Sequence, residues 1–149
     1  ATLANGGSRY TMHLLDRIDN AAGEVVQKTE PVVESQLDIS PSTLNAVTQG
    51  MYLVSTGSKG TLRNVFADFP IPVASKSGTA EEGENRSSHV WYVGYAPFDD
   101  PQIAVTVMIP YGDAASSPSA QAGKEVIASY LGLYAQPETG HYLESSQTR

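Results

Sequence analysis

Lys76-Ser77-Gly78-Thr79 places a cation, a hydroxyl, a glycine and a second hydroxyl in succession. The stretch closes an apolar run, Ile71-Pro72-Val73-Ala74-Ser75, and opens into Ala80-Glu81-Glu82-Gly83-Glu84. On an exposed strand these residues make a cradle for a carboxylate. The ammonium supplies charge, the hydroxyls supply donors, and the glycine lets a ligand come close to the backbone. The same residues also fit a strand end with a turn glycine and a solvated lysine, so the surrounding elements must decide between the two.

Other chemistry-bearing residues point less sharply. His89 opens a strand whose alternation runs on through Trp91, Val93 and Tyr95, and reads as a structural histidine bonded to a loop or to the sheet. His13 and His141 lie far from it in sequence, and no spacing suggests a metal site. Glu81, Glu82 and Glu84 have the residue type of a paired-carboxylate acid–base site, but all three share one loop, which reads as a solvated acidic flank of a groove. Trp91 reads as core in preference to a ligand platform. Gly57-Ser58-Lys59-Gly60-Thr61 is a loop without the strand–loop–helix pattern of a phosphate cradle. No cofactor is expected.

Composition removes further classes. The chain has 149 residues, the size of one domain or part of one, and its 40% hydrophobic content can bury a core. A net charge of −7 argues against a nucleic-acid partner. With no cysteine there is no disulfide, thiol nucleophile or thiolate metal site. No apolar run approaches the ~18–20 residues of a membrane span, so any anchor or export signal is expected outside the chain.

The elements that must position the motif are readable from pattern. Ala1-Thr2-Leu3-Ala4-Asn5 reads as a last helical turn and Gly6-Gly7 as its stop, which places the start of that helix before position 1. Residues 9–26, turning at Asp19-Asn20-Ala21-Ala22-Gly23, read as an irregular hairpin arm. Ser40-Pro41 is a helix start, Leu44, Val47, Met51 and Val54 follow at helical spacing, and Gly57 ends the run. Three strands follow, Val73 to Thr79, Val90 to Tyr95 and Ile103 to Ile109, joined by short links that imply an antiparallel meander. The third is apolar on both faces, which predicts cover on both. A last helix over about Ser119 to Tyr134 puts Ala122, Val126 and Tyr130 on one stripe, and the tail from Gln136 is polar. The fold class is α+β, an antiparallel three-strand meander flanked by helices.

Three segments together carry a resemblance: Val73 to Glu81 around the Lys-Ser-Gly-Thr stretch, Ser88-His89-Val90-Trp91-Tyr92-Val93-Gly94-Tyr95-Ala96-Pro97, and Ile103 to Ile109. They resemble the last three sheet strands of the penicillin-binding protein transpeptidase domain, most closely of the class B, monofunctional kind. Leu3 to Tyr10 is similar to the end of the helix after that family's S-x-N motif. Ser40 to Val54 is similar to the helix before its K-[ST]-G strand, and Ala122 to Leu133 to its C-terminal helix. The resemblance implies the C-terminal part of a serine β-lactamase/transpeptidase-like fold over residues 1–135, followed by a tail, 136–149.

The family's other two motifs are missing. The residues three before Lys28, Lys59, Lys76 and Lys124 are Val25, Thr56, Val73 and Gln121, so there is no S-x-x-K. Thr43-Leu44-Asn45 is the nearest approach to S-x-N, and it lies inside a helix. The family order places both motifs upstream. The resemblance therefore implies part of a peptidoglycan D,D-transpeptidase that works through an acyl-serine, with this chain lacking the nucleophile and inactive alone. It implies that Lys76 and Thr79 are catalytic, Lys76 by positive potential and proton movement, Thr79 through a backbone N–H at the oxyanion. It implies that Ser77 and Gly78 bind substrate. The implied partners are a D-Ala-D-Ala stem peptide, β-lactams and the N-terminal half of the same domain, at the extracytoplasmic face of the bacterial membrane. Self-association of the isolated chain is a further expectation. A penicillin sensor or non-catalytic binding domain of the same fold is the alternative, and an unrelated α+β binding domain a more distant one.

Overall fold

The computed structural model describes residues 1–81, 83, 86–112 and 117–134. Glu82, Glu84, His141 and the tail 136–149 lie outside the described residues. The opening turn ends as its two glycines dictate. Gly7 N–H reaches Thr2 O at 2.9 Å and Gly6 N–H reaches Leu3 O at 3.3 Å, with Gly6 at φ +67°. This paired closure is the Schellman pattern, and it caps carbonyls a helical turn would leave open.

The arm that follows is two nested antiparallel pairs. β1 (Ser8–Tyr10) pairs with β4 (Val33–Gln36), and β2 (Arg17–Asp19) pairs with β3 (Val25–Lys28). Register shifts at Arg9/Tyr10 and Ile18/Asp19 bend the ribbon. The Asn20 carboxamide oxygen caps the β2–β3 turn by accepting from Ala22 N–H at 2.9 Å and Glu24 N–H at 3.0 Å.

α1 (Pro41–Thr56) starts where Ser40 Oγ accepts from Thr43 N–H at 3.1 Å. Gly57 ends it. A turn leads into α2 (Arg63–Phe66), one short helix that the sequence pattern did not announce. The turn is pressed onto the end of α1. Leu62 N–H reaches Val54 O at 3.0 Å, and a Cβ at Gly60 would lie 2.4 Å from Leu53 O and 2.5 Å from Val54 O. Only a glycine fits against those carbonyls.

β5 (Ala74–Ala80), β6 (His89–Ala96) and β7 (Ile103–Ile109) form the antiparallel meander, in the order β5-β6-β7. Each strand lies within a residue of its expected bounds. α3 (Ser117–Tyr130) packs across β6 and β7. The core sits between one sheet face, α2 and α3, built from Leu62, Phe66, Val73, Tyr92, Ala96, Ala120 and Ile127. Tyr92 is its centre. The ring is fully buried, stacks on Phe66 at 6.1 Å between centroids, and its hydroxyl lies 3.2 Å from buried Ser75 Oγ. Burial pushes the Tyr92 phenol up to about 12, while the Ser75 hydrogen bond pulls the other way.

Two expectations about faces are corrected. Ala122, Val126 and Tyr130 do not face the sheet; they are exposed, and the buried stripe of α3 is Ser119, Ala120, Gly123, Ile127 and Ala128. The reason is volume. The Tyr92 ring reaches the helix, and a Cβ at Gly123 would lie 2.3 Å from two of its ring carbons, so the helix presents its smallest residues there. The second correction concerns β7. Ile103, Val105, Val107 and Ile109 are half-buried, but Ala104, Thr106 and Met108 are exposed. The elements packing on β7 are β6 and α3; on the second face residues 1–4 and Met51 come near Ala104 and Thr106 only across a cavity, and Met108 is left uncovered among the described residues.

Candidate active site

The Lys76–Thr79 stretch lies on β5, whose one edge pairs with β6 while the other meets no strand among the described residues. An edge strand carries outward-facing backbone N–H and C=O groups along its free side. The pleat sends successive side chains to opposite faces. Ser77 and Thr79 pair in register with Tyr92 and Val90, on the core side, whereas Lys76 and Gly78 pair with Val93 and Trp91 on the other. A ligand that meets the cation and both hydroxyls must therefore lie along the free edge, where the two rows converge.

Each member of the motif has a defined setting. Lys76 is exposed, and its Nζ donates to the Ser77 carbonyl. Ser77 Oγ lies 3.3 Å from Thr61 Oγ1, the exposed hydroxyl on the turn after α1. Thr79 is exposed. A Cβ on Gly78 would meet Trp91 Cβ at 3.4 Å, an ordinary contact, so packing within the sheet does not demand a glycine at this position. What glycine adds there is an unobstructed strand surface.

β5 is held from behind. Ser75, one residue before Lys76, is fully buried and bonded to Tyr92, and α1 packs along the strand. On the sheet face opposite Tyr92, burial pushes the Tyr95 phenol pKa above the ordinary tyrosine value, while the hydrogen bond of its hydroxyl to Thr48 of α1 pulls the other way. Tyr52 of α1 stacks on Phe98 at 4.7 Å. Thr61, Ser75 and Tyr92 thus belong to the motif's surroundings. Sequence reasoning missed Thr61 because a polar turn residue has no periodicity to mark it.

The other sequence candidates separate from this stretch. His89 Nδ1 accepts from Tyr111 N–H at 3.1 Å and its ring lies 4.9 Å from the Tyr111 ring, which agrees with a structural histidine tied to a loop. His13 is on the arm, where its Nδ1–H donates to Leu15 O at 2.8 Å. Trp91 is 38% exposed on the Lys76 face, so it is not the core residue its strand pattern implied. Its other neighbour in register is Met108, also exposed, and the uncovered sheet face at Met108 explains both. Among the described residues no group of three His, Asp or Glu side chains could hold a metal ion. No helix of the described residues is long and apolar enough to cross a membrane.

Comparison with known proteins agrees with the geometry. The family model of the penicillin-binding protein transpeptidase domain matches residues 1–128. The peptidoglycan D,D-transpeptidase MrdA of Haemophilus influenzae is 32% identical over 144 residues, covering 87% of this chain and 22% of that protein. Penicillin-binding protein 2B of Streptococcus pneumoniae is 32% identical over 122 residues, 74% of this chain and 18% of its own. The chain thus spans about a fifth of the length of the curated relatives it matches. Among solved structures, penicillin-binding protein 2B from S. pneumoniae strain R6 superposes with a TM-score of 0.75 at 28% identity, over 94% of this chain and 24% of that one. The imipenem acyl-enzyme complex of penicillin-binding protein A from M. tuberculosis superposes with a TM-score of 0.71 at 29% identity, over 87% of this chain and 28% of that one. The three-strand meander, the helices that pack on it and the order of the segments are those of a transpeptidase domain, and the chain belongs to the penicillin-binding protein transpeptidase family, with class B relatives.

Proposed function

We propose that this chain forms the substrate-binding and oxyanion wall of a peptidoglycan D,D-transpeptidase that cross-links stem peptides through an acyl-serine. The observation that carries the reading is Lys76-Ser77-Gly78-Thr79 on the free edge of β5, in a chain of this family. Residues 1–135 would be the C-terminal portion of the domain, completed by an N-terminal portion that brings S-x-x-K and S-x-N. The serine of S-x-x-K attacks the penultimate D-Ala carbonyl, the terminal D-Ala leaves, and a neighbouring stem's amine takes the acyl group.

Within that scheme Lys76 supplies positive potential beside the S-x-N serine and assists proton movement. Ser77 and Thr79 hydroxyls donate to the substrate carboxylate, and Gly78 leaves the approach clear. The Thr79 N–H is the second donor to the oxyanion, a contribution of roughly 2.7–4 kcal/mol in an assembled site. A β-lactam that imitates D-Ala-D-Ala meets the same groups. The acyl-enzyme complex of the M. tuberculosis relative supports β-lactam binding by this fold. The site would work at the extracytoplasmic face of the membrane, where peptidoglycan is assembled.

The test uses the whole protein that carries this segment and a labelled penicillin. Lys76→Ala is expected to abolish labelling. Labelling at the wild-type rate would remove Lys76 from the site.

A further inference from the structure

Ser77 has one hydroxyl proton and two acceptor positions. To bind a carboxylate it must spend the proton on the ligand, so any second hydrogen bond at Ser77 Oγ has to arrive from a donor. Thr61 Oγ1, at 3.3 Å, is placed to be that donor. Its position is fixed on both sides. Gly60 is pressed onto the Leu53 and Val54 carbonyls with no room for a Cβ, and Leu62 is fully buried in the core with its N–H on Val54 O. A threonine between two such anchors cannot drift along the strand edge, although its own hydroxyl is exposed.

We propose that Thr61 is a positioning residue for the Ser77 hydroxyl. Thr61 O–H donates to Ser77 Oγ, and Ser77 O–H then points to the ligand carboxylate. A chain of hydrogen bonds polarises its members in the same direction, which strengthens the end that meets the anion. The rotamer of Ser77 is set before the ligand arrives, so less ordering is left for binding. The inference rests on the reading of Ser77 as a carboxylate donor.

The experiment compares Thr61→Val, Thr61→Ser, Ser77→Ala and the Thr61→Val/Ser77→Ala double variant in the whole protein. Two ligands are used, a β-lactam with its free carboxylate and the same β-lactam as its methyl ester. The readouts are the dissociation constant before acylation and the acylation rate constant. With the free carboxylate, Thr61→Val weakens binding about threefold to tenfold, the range of one neutral hydrogen bond, and leaves the acylation rate constant unchanged. Thr61→Ser restores binding, the double variant is no weaker than Ser77→Ala, and Thr61→Val does not change binding of the methyl ester. Equal losses for both ligands, or additive losses in the double variant, would overturn the proposal in favour of a structural role for Thr61. If Ser77→Ala loses the preference for the free carboxylate and Thr61→Val keeps it, the Thr61 assignment alone fails. If Ser77→Ala leaves the preference intact, the carboxylate reading itself fails and the Thr61 role falls with it.

Discussion

Replacing Gly123 with alanine adds a methyl group where the Tyr92 ring already lies. The new Cβ would sit 2.3 Å from Cδ1 and Cε1 of the ring, against an optimal carbon–carbon separation of about 3.5–4.0 Å. The ring has nowhere to retreat. Tyr92 is fully buried, its hydroxyl is bonded to Ser75, and a Cβ at Gly94 would lie 2.1 Å from its hydroxyl oxygen. Overpacking of this kind costs about 1–3 kcal/mol, while alanine in a helix interior returns about 0.8–1.0 kcal/mol relative to glycine. The net expectation is a loss of up to about 2 kcal/mol. Urea unfolding followed by fluorescence measures it directly. Shrinking the opposing residue with Tyr92→Val should make Gly123→Ala harmless or favourable, because the clash is then gone. A single Gly123→Ala variant about 1 kcal/mol more stable than the parent would show helix propensity acting alone, and would refute the Gly123–Tyr92 contact that sets α3 on the sheet.

Gly60→Ala should cost more than Gly123→Ala, because the new Cβ meets the Leu53 and Val54 backbone carbonyls, which cannot rotate away; denaturant midpoints of the two variants decide the order. Ser40→Ala removes the cap of α1 and should cost about 1 kcal/mol in the same unfolding assay. Tyr92 gives a pH signature. Its phenol holds its proton up to about 12 when folded and about 10 when unfolded, so its stability contribution is intact below pH 10 and is lost as pH rises through 12. The difference between the two states corresponds to about 3 kcal/mol, read as a fall in unfolding free energy over that window that Tyr92→Phe does not show. The isolated chain exposes Met12, Leu14, Val26 and Val32 on the arm and Met108 on the sheet, so sedimentation should show self-association, and a stable monomer would contradict this.

The elements nearest the motif were legible because their local signals agree. Ser40-Pro41 marks the start of α1 through capping chemistry, and the period-two pattern of Ile103 to Ile109 marks both ends of β7. The Lys-Ser-Gly-Thr stretch was legible as a strand because an apolar run leads into it. What pattern could not supply was contact across the fold. The buried stripe of α3 was misread because periodicity weighs hydrophobicity, whereas the Tyr92 ring leaves no room for a side chain at Gly123 and so sets which face of the helix meets the sheet. Trp91 was misread because a strand's alternation shows which residues share a face, and not whether anything covers that face. Thr61 had no signal at all, since a turn hydroxyl meets Ser77 only through the closure of Gly60 and Leu62 onto α1.

In the proposed transpeptidase this chain supplies a binding wall and not the nucleophile. Mass spectrometry after incubation with a penicillin tests it most directly, on the isolated chain and on the whole protein that carries it. The expected result is no covalent adduct on any of the 149 residues in either sample, and one adduct in the whole protein on a serine of an S-x-x-K motif outside them. A stable acyl adduct on any residue from Ala1 to Arg149 would contradict it.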